Sequence, residues 1–264
     1  MEPLPVSLDD VLPVAHMAGN LLREYNAKPR EVHFKGRIDL VTAADLAIES
    51  FLRERLVAML PGSTFLGEEG SPKTALSGYT WIVDPVDGTT NFAHGLPFVA
   101  ISIALCHEGE VIMGIVNAPL INECFTSMRG GGAWRNGQLM HVSTSGTLES
   151  SLIATGFPYT MDGELPSLLT RLGRVLSTSQ GVRRYGAAAI DLAFVAAGHY
   201  DGFYERRLNP WDVAAGWLLV TEAGGMMTRT TGEPFHLLAH DVLATNGTIH
   251  EELLACMYDE GEMP

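Results

Sequence analysis

Cationic side chains are scarce in this chain. Lysine and arginine number 17 against 31 aspartates and glutamates over 264 residues, a formal net charge of −14. Binding to nucleic acid in general needs basic side chains that displace counterions from phosphates, so the charge balance excludes it as the main activity. Cysteine is scarcer still. Cys106, Cys124 and Cys256 are far apart and form no Cys-x-x-Cys pair. That excludes a disulfide framework and a cysteine zinc site, and leaves three reduced, packed thiols. No apolar run approaches the roughly 20 residues that a membrane-spanning helix needs. The opening Met1-Glu2-Pro3-Leu4-Pro5 lacks the basic start and apolar stretch of a signal peptide, so the expected address is the cytoplasm.

What is present is a large core. Hydrophobic residues make up 46% of the chain and charged residues 18%, enough for one big domain or two closely packed lobes. Helical spacing of Leu8, Val11, Leu12, Ala15, Ala18, Leu22 and Tyr25 predicts a helix in which Pro13 sits near the first turn or makes a kink. A loop or irregular hairpin is expected over 26–37. Thr42-Ala43-Ala44-Asp45 then reads as a capping box, opening a helix that stops at Pro61-Gly62. Strands follow at 64–66, 80–83, 98–106 and 111–117, the last two joined by a hairpin turn at His107-Glu108-Gly109-Glu110. A further pair, 124–129 and 133–142, is punctuated by Gly130-Gly131-Gly132 and Asn136-Gly137. Beyond residue 145 the rhythm is mixed, with strands expected at 151–154, 202–205 and 242–244. Helices are expected there at 165–176, 187–197, 210–222 and 249–258. Two lobes, 1–146 and 147–264, are the expected organisation.

The stretch from Trp81 to Phe92, Trp-Ile-Val-Asp-Pro-Val-Asp-Gly-Thr-Thr-Asn-Phe, concentrates the chemistry. Apolar strand residues run into two carboxylates and then a tight turn that opens a helix. Hard divalent cations such as Mg²⁺ take oxygen ligands and leave room for phosphate, and a helix start offers free N–H groups to the phosphate itself. The acidic balance adds a demand of its own, because an acidic pocket repels an anionic substrate unless bound cations reverse the local field. Two further acidic elements stand apart in sequence. Gly67-Glu68-Glu69-Gly70 follows a strand, and Asn209-Pro210-Trp211-Asp212 puts a carboxylate in the first turn of a helix, where the helix dipole alone would favour it.

These elements, with Thr221-Glu222-Ala223-Gly224-Gly225, resemble the inositol monophosphatase family. So do Asp39-Leu40-Val41-Thr42 with Asp45, Ala154-Thr155-Gly156-Phe157-Pro158 and Asp201-Gly202-Phe203-Tyr204-Glu205. The likeness runs in order over essentially the whole chain. It implies an α/β (α+β) layered αβαβα sandwich, with the metals where the two lobes meet, and a Mg²⁺-dependent, lithium-sensitive phosphatase. Two to three Mg²⁺ ions are implied. Glu68, Asp84 and the Val86 carbonyl would hold the first; Asp84, Asp87 and Asp212 the second; and Glu69 a third through water. A carboxylate bridging two cations about 3.5–4 Å apart is the arrangement of two-metal phosphoryl-transfer sites. Thr90, supported by Asp45, resembles the pair that orients the attacking water. The capping box and this role compete for the Asp45 carboxylate, and the catalytic role is favoured. Gly88 and Thr89 would cradle the phosphate through backbone N–H groups while metal-activated water attacks in line.

For the substrate, the resemblance places Glu205 where inositol hydroxyls are bound, with Gly186, Ala187 and Ala188 in the small-residue loop of that pocket and Asp87 and Asp212 touching substrate hydroxyls. Ala187 stands where some relatives have a hydroxyl residue, which removes one polar contact. Arg206 and Arg207 are either a basic lip for a second phosphate or a solvated surface pair, and His94 is best read as a surface or packing histidine. myo-Inositol monophosphate is the leading substrate, and fructose 1,6-bisphosphate and histidinol phosphate are the alternatives. A 3′-phosphoadenosine 5′-phosphate hydrolase fits less well, since such relatives usually carry lysine where this chain has Thr90. The non-enzymatic alternative is a protein that binds the transcription machinery. A homodimer is implied, and no membrane partner is expected.

Overall fold

The computed structural model describes residues 5–28, 32–34, 40–70, 76–158 and 163–258, with only the backbone described at 32–34 and 40. The loop or hairpin expected over 26–37 lies in part outside these residues. What is described there is β1 (Val32–Phe34), paired antiparallel with β2 (Leu40–Thr42).

Two helices form the first layer. In α1 (Leu8–Asn26) Ser7 caps the start, its hydroxyl accepting from the Asp10 amide while the Asp10 carboxylate accepts from the Ser7 amide. Pro13 is the sixth residue of this helix rather than part of its first turn, and the helix continues through it at the loss of one backbone bond. In α2 (Ala43–Met59) Thr42 and Asp45 form the expected capping box. Both helices lay apolar faces, including Val11, Ala15, Leu22, Ile48, Leu52 and Leu56, on one side of a seven-stranded sheet.

That sheet runs β3 (Thr64–Gly67), β4 (Tyr79–Asp87), β5 (Ala100–His107), β6 (Glu110–Ala118), β7 (Glu123–Met128), β8 (Ala133–Arg135) and β9 (Gln138–Met140) in spatial order, with α3 (Thr89–His94) between β4 and β5. The first two strands are parallel and all later neighbours antiparallel. Alternation assigns the faces. Trp81, Val83, Ile101, Ile103 and Leu105 join the first helical layer, while Ile82, Ala100, Ala104 and Cys106 face the opposite way.

The opposite face packs on α5 (Ala188–Ala196) and α6 (Pro210–Glu222), and the same core continues to a second sheet through Ala154, Phe203 and Ala244. The second sheet has the order β11 (Gly181–Arg183), β10 (Leu152–Thr155), β12 (Gly202–Arg206), β14 (Asp241–Thr245), β13 (Met226–Thr228). The strands β11 and β13 were not foreseen from the sequence; each has only three residues, too short for a visible alternation. Beyond this sheet, Val175 of α4 (Leu165–Thr178) and Leu253 and Leu254 of α7 (His250–Ala255) close a third core with Ile153, Tyr204 and Leu243. Helices, sheet, helices, sheet, helices: this is the αβαβα order expected. All three cysteines are buried and free, and no described helix is long and apolar enough to cross a membrane.

Candidate active site

The strand expected to end at Val83 continues as β4 to Asp87. In a regular strand Asp84 and Asp87 would point to opposite faces, because three is an odd spacing. The pairing register removes that obstacle. Asp84 lies opposite Ser102 and Asp87 opposite Ala100, so β4 carries one residue more than β5 between these pairs. This bulge turns both carboxylates to the same side, and Pro85, with no N–H to lose, occupies it. The Val86 amide donates to Asp84 Oδ1 at 2.9 Å. Gly88 then takes φ 88°, a left-handed conformation that a side chain would disfavour, and starts α3.

The other acidic residues arrive on separate elements. Gly67 pairs with Val83 at the end of β3, so Glu68 comes out beside Asp84. Asp212 is delivered by α6. Ser102, the cross-strand partner of Asp84, donates its hydroxyl to the Trp211 carbonyl at 3.1 Å and so ties the start of that helix to the sheet. Asp212 is also a capping-box residue, one of its oxygens accepting from the Asn209 amide at 2.6 Å.

Asp45 shows the same division of labour, and here one expectation is corrected. Its Oδ2 accepts from the Thr42 amide at 2.8 Å and the Thr42 hydroxyl at 2.5 Å, completing the cap. Its Oδ1 meets the Thr89 hydroxyl at 3.2 Å. The hydroxyl paired with Asp45 is therefore that of Thr89, not Thr90, and a carboxylate with two oxygens serves both the cap and this contact. Thr89 Oγ1 is also 3.0 Å from the Val86 carbonyl.

Glu68, Asp84, Val86, Asp87, Gly88, Thr89, Gly186, Ala188, Glu205 and Asp212 line a single pocket of about 220 Å³. Asp45, Glu69, Thr90 and Ala187 do not line it. Ala187 is buried at 1% exposure, so the substrate contact expected of it is not available in this structure. The loop from Gly186 to Ala188 instead opens α5 toward Asp87. The Ala189 amide donates to Asp87 Oδ2 at 2.8 Å, and Asn91 holds the preceding turn by donating to the Tyr185 and Phe98 carbonyls at 2.7 and 2.8 Å. His94 is exposed at the end of α3 and outside the pocket.

Electrostatics of the pocket call for cations. Burial holds the Asp84 carboxyl well above the usual carboxylate range, and repulsion from Glu68, Asp87 and Asp212 adds to it. Burial pushes Asp87 and Asp212 up to about 7 against opposing backbone N–H bonds, from Ala189 and Asn209 respectively. Glu205 rises to about 8, chiefly through burial and then through Asp212 and Asp87. Carboxylates crowded in this way accept a proton or a metal in order to share the site. Among the described residues no three side chains close tightly enough to enclose an ion by themselves. The pocket's rim has the opposite sign, formed by Arg184, Arg206 and Arg207.

A family model for the inositol monophosphatase family matches residues 9–262. The chain belongs to that family. It is 43% identical over 224 residues to the inositol-1-monophosphatase of Rhizobium meliloti (strain 1021), covering 84% of each chain. It is 39% identical over 249 residues to the Nus factor SuhB of Escherichia coli (strain K12), covering 93% of each. Among solved structures, the extragenic suppressor protein suhB from Bartonella henselae superposes with a TM-score of 0.90 at 37% identity, over 96% of this chain and 98% of that one.

Within this inositol monophosphatase family member, three positions behind the pocket escaped the sequence reading. Ser102 and the Ala189 amide carry no sequence signal, since one is a strand serine and the other a backbone group. Glu49 did carry one. It is a carboxylate on the inward face of an amphipathic helix, four residues after Asp45, where an apolar side chain would be expected.

Proposed function

We propose that the chain is a Mg²⁺-dependent hydrolase of phosphate monoesters, with myo-inositol monophosphate as the leading substrate. The observation that carries this is the meeting of Glu68, Asp84, Asp87 and Asp212, from three separate segments, in one pocket with the Gly88–Thr89 turn. When bound, Mg²⁺ supplies Lewis-acid stabilisation of charge on the phosphoryl oxygens and lowers the pKa of water. Glu68, Asp84 and the Val86 carbonyl would hold one ion; Asp84, Asp87 and Asp212 a second; and Glu69, reaching through water, a third.

The chain's own groups would do the rest. Thr89, its proton directed to Asp45, leaves a lone pair to orient the attacking water. The backbone N–H groups of Gly88 and Thr89 bind the phosphate oxygens. The new oxygen–phosphorus bond forms as the ester P–O bond breaks; the attacking water gives up a proton to pocket water, and the leaving alkoxide takes one up from it. Asp87, Asp212 and Glu205 accept hydrogen bonds from substrate hydroxyls, beside Gly186 and Ala188. The enzyme would act as a homodimer in the cytoplasm and be inhibited by lithium.

A second substrate follows from the arginine rim. Arg184, Arg206 and Arg207 favour a second anionic group on the substrate, as in fructose 1,6-bisphosphate, and disfavour the cationic histidinol phosphate. A role at the transcription machinery is the non-enzymatic reading, supported by the name of the Escherichia coli relative, Nus factor SuhB. The deciding experiment is a panel of myo-inositol 1-phosphate, fructose 1,6-bisphosphate, histidinol phosphate and 3′-phosphoadenosine 5′-phosphate at equal concentration with Mg²⁺, with and without Li⁺. Fastest release of phosphate from the inositol ester, suppressed by Li⁺, is expected. No release from any of them, with a stoichiometric partner captured by a metal-dead variant, would favour the non-enzymatic role.

A further inference from the structure

One face of α2 reaches both halves of the acidic site. Asp45, Glu49 and Arg53 recur every four residues and so stack along that face. Asp45 touches the Asp84–Thr90 segment through Thr89. Glu49 touches the other acidic segment. Its Oε2 accepts the Glu69 amide at 2.8 Å, and its Oε1 accepts from Arg53 Nη2, also at 2.8 Å. The arginine is fixed in turn, its guanidinium 4.2 Å from the centre of the Phe65 ring.

The turn is shaped around this carboxylate. A Cβ added at Gly67 would lie 2.4 Å from Glu49 Oε2, and one at Gly70 would lie 3.3 Å from Oε1. The glycines that flank Glu68 and Glu69 therefore let the chain wrap a buried carboxylate. Glu49 is only 5% exposed, on a helix whose other buried residues besides Asp45 are Ala44, Ile48, Leu52 and Leu56. A charge-bearing group is costly there, and an apolar residue of similar size would pack at lower cost. What the carboxylate provides is orientation. The amide it accepts belongs to the peptide plane joining Glu68 to Glu69, so holding that plane sets the direction in which both side chains leave the backbone.

We propose that Glu49 is the positioning residue of the Glu68–Glu69 turn, aiming Glu68 into the pocket for divalent-cation binding. This rests on the metal-site reading above, and the test separates the two. Mg²⁺ is titrated calorimetrically into the chelator-treated, full-length protein and its variants, with thermal unfolding of each recorded in chelator. Glu49→Met, which removes the acceptor, is expected to weaken binding by about 10–100-fold, as for other partners behind metal ligands. Glu49→Gln keeps an acceptor for the Glu69 amide and is expected to restore most of the affinity. Gly67→Ala, which pushes on Glu49 from the opposite side, is expected to match the loss in Glu49→Met, and it carries the test if that variant does not fold.

A lower unfolding temperature with unchanged cation affinity in Glu49→Met would overturn the proposal, because the carboxylate would then only support the fold. So would equal losses in Glu49→Met and Glu49→Gln, since charge rather than the amide contact would be the cause. Absence of saturable Mg²⁺ binding in the unsubstituted protein would instead overturn the metal reading, and this inference with it.

Discussion

Asp45 and Thr89 meet at 3.2 Å across the gap between the first helical layer and the β4–α3 turn. The contact leaves Asp45 Oδ2 on the cap of its own helix. A hydroxyl held between two acceptors, Asp45 Oδ1 and the Val86 carbonyl, has its proton committed and a lone pair free for water. Asp45 is fully buried behind it, and that burial raises the Asp45 pKa against the bonds from Thr42 and Thr89.

Thr89→Ala is therefore expected to lower kcat by about 10²–10⁴-fold, the range for loss of a positioned proton-transfer group. Thr89→Ser should retain most activity, and Thr90→Ala should change kcat little. Steady-state kinetics on the three variants, with Asp45→Asn alongside, check the assignment. A large loss in Thr90→Ala with a mild one in Thr89→Ala would restore the order first read from the sequence.

Asp87→Asn should abolish turnover while leaving the fold intact. The asparagine carbonyl can still accept the Ala189 amide, and removing one charge relieves repulsion on Asp84. In chelator its unfolding temperature should equal or exceed that of the parent. Near-full activity in this variant would contradict a metal role for Asp87.

Stability of the chelated protein should fall as pH rises. A carboxyl whose folded pKa lies above its unfolded value binds its proton more tightly when folded. Its contribution is full below the unfolded pKa and lost as pH rises through the folded one. For Asp87, Asp212 and Glu205 that window runs from ordinary values of 3.8 to 4.5 up to about 7 and about 8. Burial lowers His199 and His250, which gives a slope of opposite sign that is complete at lower pH. Unfolding temperatures between about pH 7 and about pH 8.5 should therefore decline in chelator, by about 2–4 °C per kcal/mol lost. Glu205→Gln should flatten the decline, and Mg²⁺ should remove most of it by binding the ionised carboxylates. A profile that rises with pH in chelator would contradict the crowding of these groups.

The arginine rim is tested by substrate contrast. Arg207→Met should lower kcat/KM for fructose 1,6-bisphosphate and leave that for myo-inositol 1-phosphate nearly unchanged. Arg207 is held by Glu164 at 2.6 Å and has φ 64°, a strained conformation for arginine that fixes its place at the mouth. Equal effects on both esters would remove the rim from substrate choice.

Much of this was legible in the sequence. The apolar run Trp81, Ile82 and Val83 marked a strand, a capping box marked the helix start at Thr42, and a first-turn carboxylate, Asp212, marked the helix that begins at Pro210. The order of the elements and the resemblance together gave the layers. What stayed hidden was the identity of the hydroxyl at Asp45, because the left-handed Gly88 decides which threonine faces α2, and a list of residues does not show that turn. The bulge between Asp84 and Asp87 was hidden for a related reason, since an extra residue in one strand exists only relative to its neighbour. Asp45 looked like a choice between a cap and a site, and Asp212 like one between a helix-dipole charge and a site; each can cap its helix and serve the site, because a carboxylate has two oxygens. Glu49 was overlooked although it falls on the inward face of its helix, because an i,i+4 pair with Arg53 also reads as ordinary surface charge.

The most direct measurement is phosphate release from myo-inositol 1-phosphate by the purified protein, first in chelator, then with Mg²⁺ restored, and in parallel with Asp84→Asn. Release that is absent in chelator, recovered with Mg²⁺ and lost in Asp84→Asn is the expected result. Release that persists in chelator, or survives at parent level in Asp84→Asn, would contradict a metal-dependent phosphatase built on that carboxylate.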